Sequence, residues 1–209
     1  WYNGRYELKA QIIDENGQKV GECLRIDGMD IPSYRHHTPR MNVLNDGKIA
    51  ITFGHRGGIE LQQVQEHVVL LNNDGSPFSR PIMLGEKSIQ ENSLETFASS
   101  IVATKEGGFF ATWTSEQVGI KNSNNFRDVW GRHFDANGEP LGDEFLMHYE
   151  QDGFQYAPSI VALENGDFIT TYADTNSQSE QGDRINVTTL KFSGLDLGHL
   201  LEDQKEYID

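Results

Sequence analysis

The feature that most constrains this chain is an internal repeat. Three segments, residues 37–53, 97–113 and 156–172, align with one another without gaps, at offsets of 60 and 59 residues. A long regular period is typical of propellers, solenoids and other arrays that stack one supersecondary unit on the next. A single unit cannot bury a core by itself, so we expect neighbouring units to pack face to face.

The aligned positions describe one β-hairpin. Apolar residues alternate with polar ones on both sides of a turn, which is the period of a half-buried strand. A glycine stands at the turn in every copy, because a tight hairpin needs a positive φ there. An aromatic residue closes each returning strand and predicts an aromatic layer in the core. The matching sets are Met41, Ile101 and Ile160 in the first strand, Gly47, Gly107 and Gly166 at the turn, and Phe53, Trp113 and Tyr172 at the close.

A second hairpin follows the first in each unit, and in three copies an Asn-Gly or Asp-Gly pair marks its turn, whereas a weaker copy at 187–198 lacks that pair. These pairs end at Gly17, Gly75 and Gly138. Each unit is therefore predicted to hold four antiparallel strands, with a polar loop between its two hairpins at residues 54–66, 114–128 and 173–185. This pattern favours an all-β, propeller-like fold of about 3.5 blades. A β-sandwich or a solenoid of stacked small sheets is the alternative.

The repeat divides the chain into one domain with an incomplete first unit. We place a partial repeat at 1–36, repeats at 37–96, 97–155 and 156–200, and an acidic tail at 201–209. A ring of this many blades is awkward to close, and an open end exposes edge strands. We therefore expect a fragment of a larger array, or an assembly in which a second copy or another chain completes the ring.

Charge and composition exclude two classes of partner. The chain has 17 Lys and Arg against 32 Asp and Glu, a formal charge of −15, so nucleic acid and anionic membranes would be repelled. The single cysteine, Cys23, excludes an intrachain disulfide, and we expect it to be a packing residue. No apolar run approaches the ~18 residues of a membrane-spanning helix. Protein partners, cations and neutral glycans are compatible with the charge.

The best-formed copies of the two hairpins carry a recognisable pattern. The first hairpin contains Gly107-Gly108-Phe109 and ends at Trp113, and the second contains Arg132-His133-Phe134 and ends at Glu144-Phe145. This pattern resembles four-strand repeats of large bacterial secreted and surface proteins, including adhesins of the RTX type. Lys48 and Asp167 depart from it, since they replace the second glycine. The resemblance implies an extracellular or cell-surface module for adhesion or display.

The turns of the second hairpins offer oxygen atoms for a cation. Calcium takes about six to eight oxygen ligands, mostly carboxylates and carbonyls. None of these turns has the full EF-hand pattern, and Asx turns explain the same residues without a metal. Calcium is therefore a candidate ion rather than a required cofactor. The candidate ligands are Asp14, Asn16, Asp74, Asp135 and Asn137.

Aromatic residues and arginines in or beside the predicted loops are the candidate ligand-binding groups. Sugar rings pack on aromatic faces, and polar groups hold their hydroxyls. The aromatic candidates are Trp1, Tyr2, Tyr6, Phe126, Trp130, Phe154 and Tyr156. The segment from Pro39 to Arg56 also resembles a sialidase blade, which would make Arg40 and Arg56 carboxylate binders.

Three functions are compatible with this sequence. A non-catalytic surface repeat that binds a glycan or a protein, or that mediates assembly, is the main hypothesis, because no nucleophile motif is present. A carbohydrate-active enzyme of the sialidase or glycosidase type, or an inactive relative of one, is the first alternative, because carboxylates are abundant. A purely structural scaffold is the second.

Overall fold

The fold is all-β. We describe it from a computed structural model, which defines residues 7–26, 33–57, 64–85, 94–117, 127–148, 153–175 and 184–190. Every regular element in these ranges is a strand. The strands are β1 (Lys9–Ile13), β2 (Lys19–Arg25), β3 (Ser33–Val43), β4 (Ile49–Gly57), β5 (Gln65–Leu71), β6 (Ile82–Met83), β7 (Leu94–Ala103), β8 (Phe109–Gln117), β9 (Arg127–Phe134), β10 (Phe145–Leu146), β11 (Phe154–Ala162), β12 (Phe168–Thr175) and β13 (Arg184–Leu190).

The strands form antiparallel sheets that follow the repeat. Strands β3 to β6 make blade 1 in chain order, and β7 to β10 make blade 2 in the same way. Strands β11 to β13 make blade 3, which joins blade 2 through one parallel pair, Phe154 with Arg127. The two-stranded sheet β1–β2 is the outer half of a blade, as the incomplete first repeat predicts. The prediction of antiparallel, four-stranded, propeller-like repeats is confirmed.

The first strands of blades 1, 2 and 3 lie side by side. The amide of Asn45 donates to the carbonyl of Thr104 at 2.7 Å, and the backbone amide of Ile160 donates to the hydroxyl of Ser100 at 3.3 Å. These bonds join residues 59 and 60 positions apart, so the sequence period is also the step from one blade to the next. Inner strands in mutual contact are what a propeller-like arrangement requires.

Each inner strand is interrupted by a bulge at the same place. The register shifts between His37 and Arg40 in β3, between Phe97 and Ser100 in β7, and between Tyr156 and Ser159 in β11. Pro39 and Pro158 lie within two of these bulges, where the missing N–H of proline costs no ladder hydrogen bond.

The described residues form three apolar core clusters, one for each junction between sheets. The first joins Leu8 and Ile26, which flank β1–β2, to Ile51, Phe53 and residues of β5 in blade 1. The second lies between blades 1 and 2, and the third between blades 2 and 3. The three aromatic residues that close the first hairpins, Phe53, Trp113 and Tyr172, are all buried, one in each cluster, rather than stacked in a single layer. Stability thus comes mainly from packing between blades.

Two details differ from the sequence-based expectation. The strands are longer than predicted, since β4 continues through Gly54-His55-Arg56-Gly57 and β8 runs to Gln117, so the loops between the hairpins are shorter. Cys23 is exposed rather than packed, because it lies on β2, where six of the seven side chains face outward. The predicted tail, 201–209, lies outside the described residues. Within the described ranges no helix is long and apolar enough to cross a membrane.

Candidate functional site

One edge of the blades carries the longest connections. The second strand of each blade ends there and the third begins there, at Gly57 and Gln65 in blade 1 and at Gln117 and Arg127 in blade 2. The described connections at the opposite edge include the tight glycine turns at Gly47, Gly75, Gly107 and Gly138. Loops on a rigid scaffold are where binding residues concentrate, so a ligand site is expected at the long-loop edge.

An arginine and two aromatic rings meet at this edge between blades 2 and 3. The guanidinium carbon of Arg127 lies 5.9 Å from the ring centroid of Phe154 and 5.6 Å from that of Tyr156. Both distances are within the range of cation–π attraction. The group forms because Phe154 begins β11 directly beside Arg127, the first residue of β9. Phe154 is 37% exposed, so one face of the group is open to a ligand.

Further polar side chains lie on and beside the strands that carry this group. His148 Nε2 lies 3.4 Å from Asp128 Oδ1, and the His148 ring lies 6.1 Å from that of Tyr172. The buried amide of Gln155 donates a 2.8 Å hydrogen bond to Asp174. Asp128 follows Arg127 in β9, and Asp174 of β12 is paired in register with Gln155, the residue between Phe154 and Tyr156. Buried polar groups with fixed partners hold a site in one geometry.

The structure places the predicted ligand-binding residues in different positions. Tyr156 belongs to the Arg127 group. Trp130 lies in β9 with its ring partly against the core between blades 1 and 2, and its indole N–H donates to the hydroxyl of Ser115 at 2.9 Å. Arg40 is exposed on β3, with a side chain directed back to the carbonyl of Pro39 at 3.4 Å. Trp1, Tyr2, Tyr6, Phe126 and the side chain of Arg56 lie outside the described residues.

The predicted metal ligands lie at the opposite, tight-turn edge. Asp14 Oδ1 accepts from the backbone amides of Asn16 and Gln18 at 2.9 and 2.7 Å, and Asp135 Oδ1 accepts from Asn137 and Glu139 at 2.8 and 2.9 Å. These are Asx turns, in which the carboxylate replaces a backbone acceptor.

Asp74 makes the same kind of turn. Its carboxylate accepts from the amide of Ser76 at 2.9 Å, and hydrogen bonds from Ser76 hold the pKa of Asp74 below its usual value. Among the described residues, no three His, Cys, Asp or Glu side chains are grouped so that they could hold a metal ion. Calcium therefore stays a prediction for this chain.

Sequence reasoning missed Arg127. It is the last residue but one of a predicted loop, and nothing in its sequence neighbourhood distinguishes it. Phe154 was recognised as a loop aromatic, but its partnership with Arg127 depends on the register between β9 and β11, which no local pattern reports. The sequence offers one weak signal for Arg127, which is a charged residue directly before the predicted third strand of its unit.

Comparison with known proteins shows a fold but no family. No protein-family model matches this chain, and no curated protein sequence matches it. Solved structures do match. A thermostable family-43 glycoside hydrolase is 14% identical over 98% of this chain and 74% of its own length, with a TM-score of 0.51.

Two further structures match over most of the chain. A Hadza microbial sialidase is 11% identical over 84% of this chain, with a TM-score of 0.57, and an ulvan lyase of a polysaccharide lyase family is 10% identical over 83%, with a TM-score of 0.55. This chain spans 43% of the sialidase and 44% of the lyase. At these identities the likeness shows the fold alone, which is propeller-like.

Proposed function

We propose that this chain is a carbohydrate-recognition module of the propeller type, with its glycan site at the long-loop edge between blades 2 and 3. The observation that carries the proposal is the position of Arg127 beside the rings of Phe154 and Tyr156. The three similar structures support it, because each is named for an enzyme that acts on carbohydrate.

The chemistry of the site suits a sugar. The C–H face of a pyranose packs on an aromatic ring, and a few placed polar groups fix its hydroxyls. Phe154 and Tyr156 supply the rings, and Arg127 supplies a positive charge with several N–H donors in one plane.

Recognition rather than turnover is the proposed activity. Glycoside hydrolysis needs two carboxyl groups on opposite sides of the scissile bond, one of them free to move a proton. Asp174 accepts a hydrogen bond from Gln155, and Asp128 lies beside His148, which is the environment of carboxylates that hold structure. We propose a secreted or cell-surface location, supported by the acidic charge and by the resemblance to repeats of bacterial surface proteins.

The test is a glycan-binding screen with neutral and acidic oligosaccharides, followed by calorimetric titration of the ligands found. We expect Phe154→Ala and Arg127→Gln each to weaken binding by about tenfold or more. The matched control is Phe78→Ala, because Phe78 is an exposed ring with a cation, Lys48 Nζ, 4.4 Å from its centroid at the other edge of the sheet. The proposed site is refuted if all three variants lose the same amount of glycan affinity, or if Phe154→Ala and Arg127→Gln bind as tightly as the wild type.

The same oligosaccharides separate recognition from catalysis. Incubation with the protein, followed by assays for new reducing ends and for unsaturated products, distinguishes hydrolysis from elimination. Binding of the oligosaccharide without formation of any product supports a recognition module. Product formation that Asp174→Asn abolishes, with binding retained, makes the chain an enzyme.

Assembly is a second candidate function, favoured by exposed apolar side chains on blade 1. Met41 is 65% exposed and Val43 is 62% exposed, on a sheet whose outer part is already buried against β1–β2. Within the described residues β1 pairs with β2 alone. We propose a second copy of the chain as the occupant. Light scattering that gives a dimer, converted to monomer by Met41→Glu, supports it, and a monomeric wild-type chain refutes it.

A further inference from the structure

Three histidines stand at matched positions on three neighbouring strands of blade 1. His36 in β3 is paired in register with His55 in β4, and Phe53, two residues before His55, is paired with His67 in β5. Directly opposite and diagonal positions of this kind are the ones whose side chains interact across a sheet. Three of the seven histidines of the chain are therefore concentrated at the long-loop edge of one blade.

The repeat shows that side chains at the first two of these positions meet. In blade 3 the positions of His36 and His55 are held by Gln155 and Asp174, which are paired in register in the same way. The Gln155 amide donates to the Asp174 carboxylate at 2.8 Å. The side chain of His36 lies outside the described residues, and its register with His55 is the observation that places it.

The second and third positions also bring their side chains together. In blade 2 the positions of His55 and His67 are held by Ser115 and Trp130, and the indole N–H of Trp130 donates to the Ser115 hydroxyl at 2.9 Å. Taken together, the two pairs make the three positions one contact group. Blade 1 is the copy that has an imidazole at every one of the three.

The described pair in blade 1 is close to the separation that a shared metal ion requires. The ring centroids of His55 and His67 are 5.9 Å apart, with the ring planes at 87°. Two imidazoles on one tetrahedral zinc ion, with Zn–N distances of ~2.0–2.1 Å, have centroids about 5 Å apart. Small rotations of the two side chains therefore suffice to bring both rings onto one ion. His55 is 8% exposed, so such an ion would be shielded from bulk solvent.

His67 is held in the tautomer and orientation of a metal ligand. Its Nδ1 donates to the carbonyl of Gln65 at 3.0 Å, since a carbonyl oxygen can only accept. In the neutral imidazole Nε2 is then the nitrogen that carries the lone pair. The ring also stacks on Phe53, with centroids 5.9 Å apart and planes at 24°. Histidines that bind metal usually donate their other ring nitrogen to a carbonyl or a carboxylate in this way.

We propose that His36, His55 and His67 form a binding site for a divalent transition metal ion, and that zinc is the ion that the three nitrogen donors suit. Imidazole is a preferred ligand of zinc, copper and nickel. Zinc held by three histidines keeps a fourth position open for water or for an oxygen atom of a bound molecule. Two of the three ligands are described side chains, which agrees with the finding that no group of three exists among those described. The site lies within blade 1 and does not depend on the glycan site between blades 2 and 3.

The test is calorimetric titration of the full chain with zinc chloride, after removal of bound metal with EDTA and removal of the EDTA by dialysis. We expect one zinc ion to bind per chain. Loss of any one ligand should weaken zinc binding at least about tenfold, and the three variants are His36→Gln, His55→Gln and His67→Gln. The matched control is His133→Gln, which changes a partly buried histidine of blade 2 and should bind zinc as the wild type does.

X-ray absorption at the zinc edge tests the site in the wild-type chain, so the result does not depend on whether each variant folds. We expect three imidazole nitrogens at ~2.0–2.1 Å from the zinc ion. Circular dichroism shows which variants keep the β fold. The site is overturned by a zinc shell made of oxygen atoms, by a zinc affinity that His55→Gln and His67→Gln leave unchanged, or by an equal loss of affinity in His133→Gln. A zinc affinity that His36→Gln leaves unchanged also overturns it, because the third ligand is then not this residue.

Discussion

Met41 and Ile101 occupy the same position of the repeat, yet Met41 is 65% exposed and Ile101 is 5% exposed. Ile101 packs against Leu44, Val68 and Leu70 of the preceding blade. The sheet that precedes blade 1 is the half-blade β1–β2, which covers the outer strands of blade 1 and leaves Met41 uncovered. Exposure at this position thus depends on the neighbouring blade rather than on the residue.

The first prediction uses this pair of residues. Ile101→Ala should lower the free energy of unfolding by ~2–5 kcal/mol, because it removes a buried side chain and leaves a cavity between blades 1 and 2. Met41→Ala should change it by no more than about 0.5 kcal/mol, as an exposed substitution does. Urea denaturation of both variants measures the difference. Comparable losses in the two would mean that Met41 is covered in solution.

The second prediction concerns two adjacent glycines with positive φ, Gly107 at +92° and Gly108 at +83°. A Cβ on Gly107 would meet no atom within 4 Å, whereas one on Gly108 would lie 2.2 Å from the carbonyl oxygen of Phe134. Gly107→Ala should therefore cost only the backbone penalty of ~1–2 kcal/mol. Gly108→Ala should cost more than about 4 kcal/mol, because the backbone of β9 must move. Urea midpoints that are equal for the two variants would contradict this geometry.

The hairpins could be predicted from the sequence because their signals are local. Alternation of apolar residues and a glycine at the turn lie within about 17 residues of one another, and the burial of Phe53, Trp113 and Tyr172 follows from the repeat. The ends of β4 and β8 could not be predicted in this way, since polar residues such as His55 and Ser115 continue those strands into the predicted loops. Burial between blades, not local propensity, decides where these strands end.

The candidate sites depend on relations between blades, which the sequence does not display. The contact between Arg127 and Phe154 depends on the parallel pairing of β9 with β11. Glu66 is visible as a departure from the repeat, since Leu8 and Val129 stand at its position in other copies, but the sequence does not place Ser99, which donates to it at 2.8 Å, on the facing strand. An internal alignment can therefore flag an unusual residue, and the register between blades is needed to find its partner.

The third prediction concerns interblade hydrogen bonding. The amide of Asn45 donates to the carbonyl of Thr104 at 2.7 Å, which ties the turn of blade 1 to blade 2. Asn45→Ala should cost ~1 kcal/mol, the usual net worth of such a bond. Asn137→Ala is the control, because that amide contacts only Asp135 of its own turn, at 3.4 Å. If chemical denaturation shows a larger loss of unfolding free energy for Asn137→Ala than for Asn45→Ala, the hydrogen bond between the blades is not formed.

The last prediction is a pH dependence that arises from His67. This residue stacks on Phe53 at 5.9 Å, and its Nδ1 lies 3.0 Å from the carbonyl of Gln65. Burial lowers the pKa of His67 to about 4, with a smaller effect of His55 in the same direction. The unfolded chain takes up this proton near 6.5, so stability is greatest above that pH and falls as the solution is acidified towards 4.

Replacement of His67 by phenylalanine should remove this part of the acid sensitivity. Between pH 6.5 and 4 the histidine contributes up to about 1.4 kcal/mol of lost stability per pH unit, which urea titrations of the wild type and His67→Phe resolve as a difference in slope. His133→Phe is the graded control, because burial also lowers the pKa of His133 but Glu106 opposes it. If the free energy of unfolding has the same slope against pH in the wild type and in His67→Phe, His67 is hydrated in the folded protein. If His133→Phe changes that slope more than His67→Phe does, His133 is the more deeply buried ring, contrary to the structure.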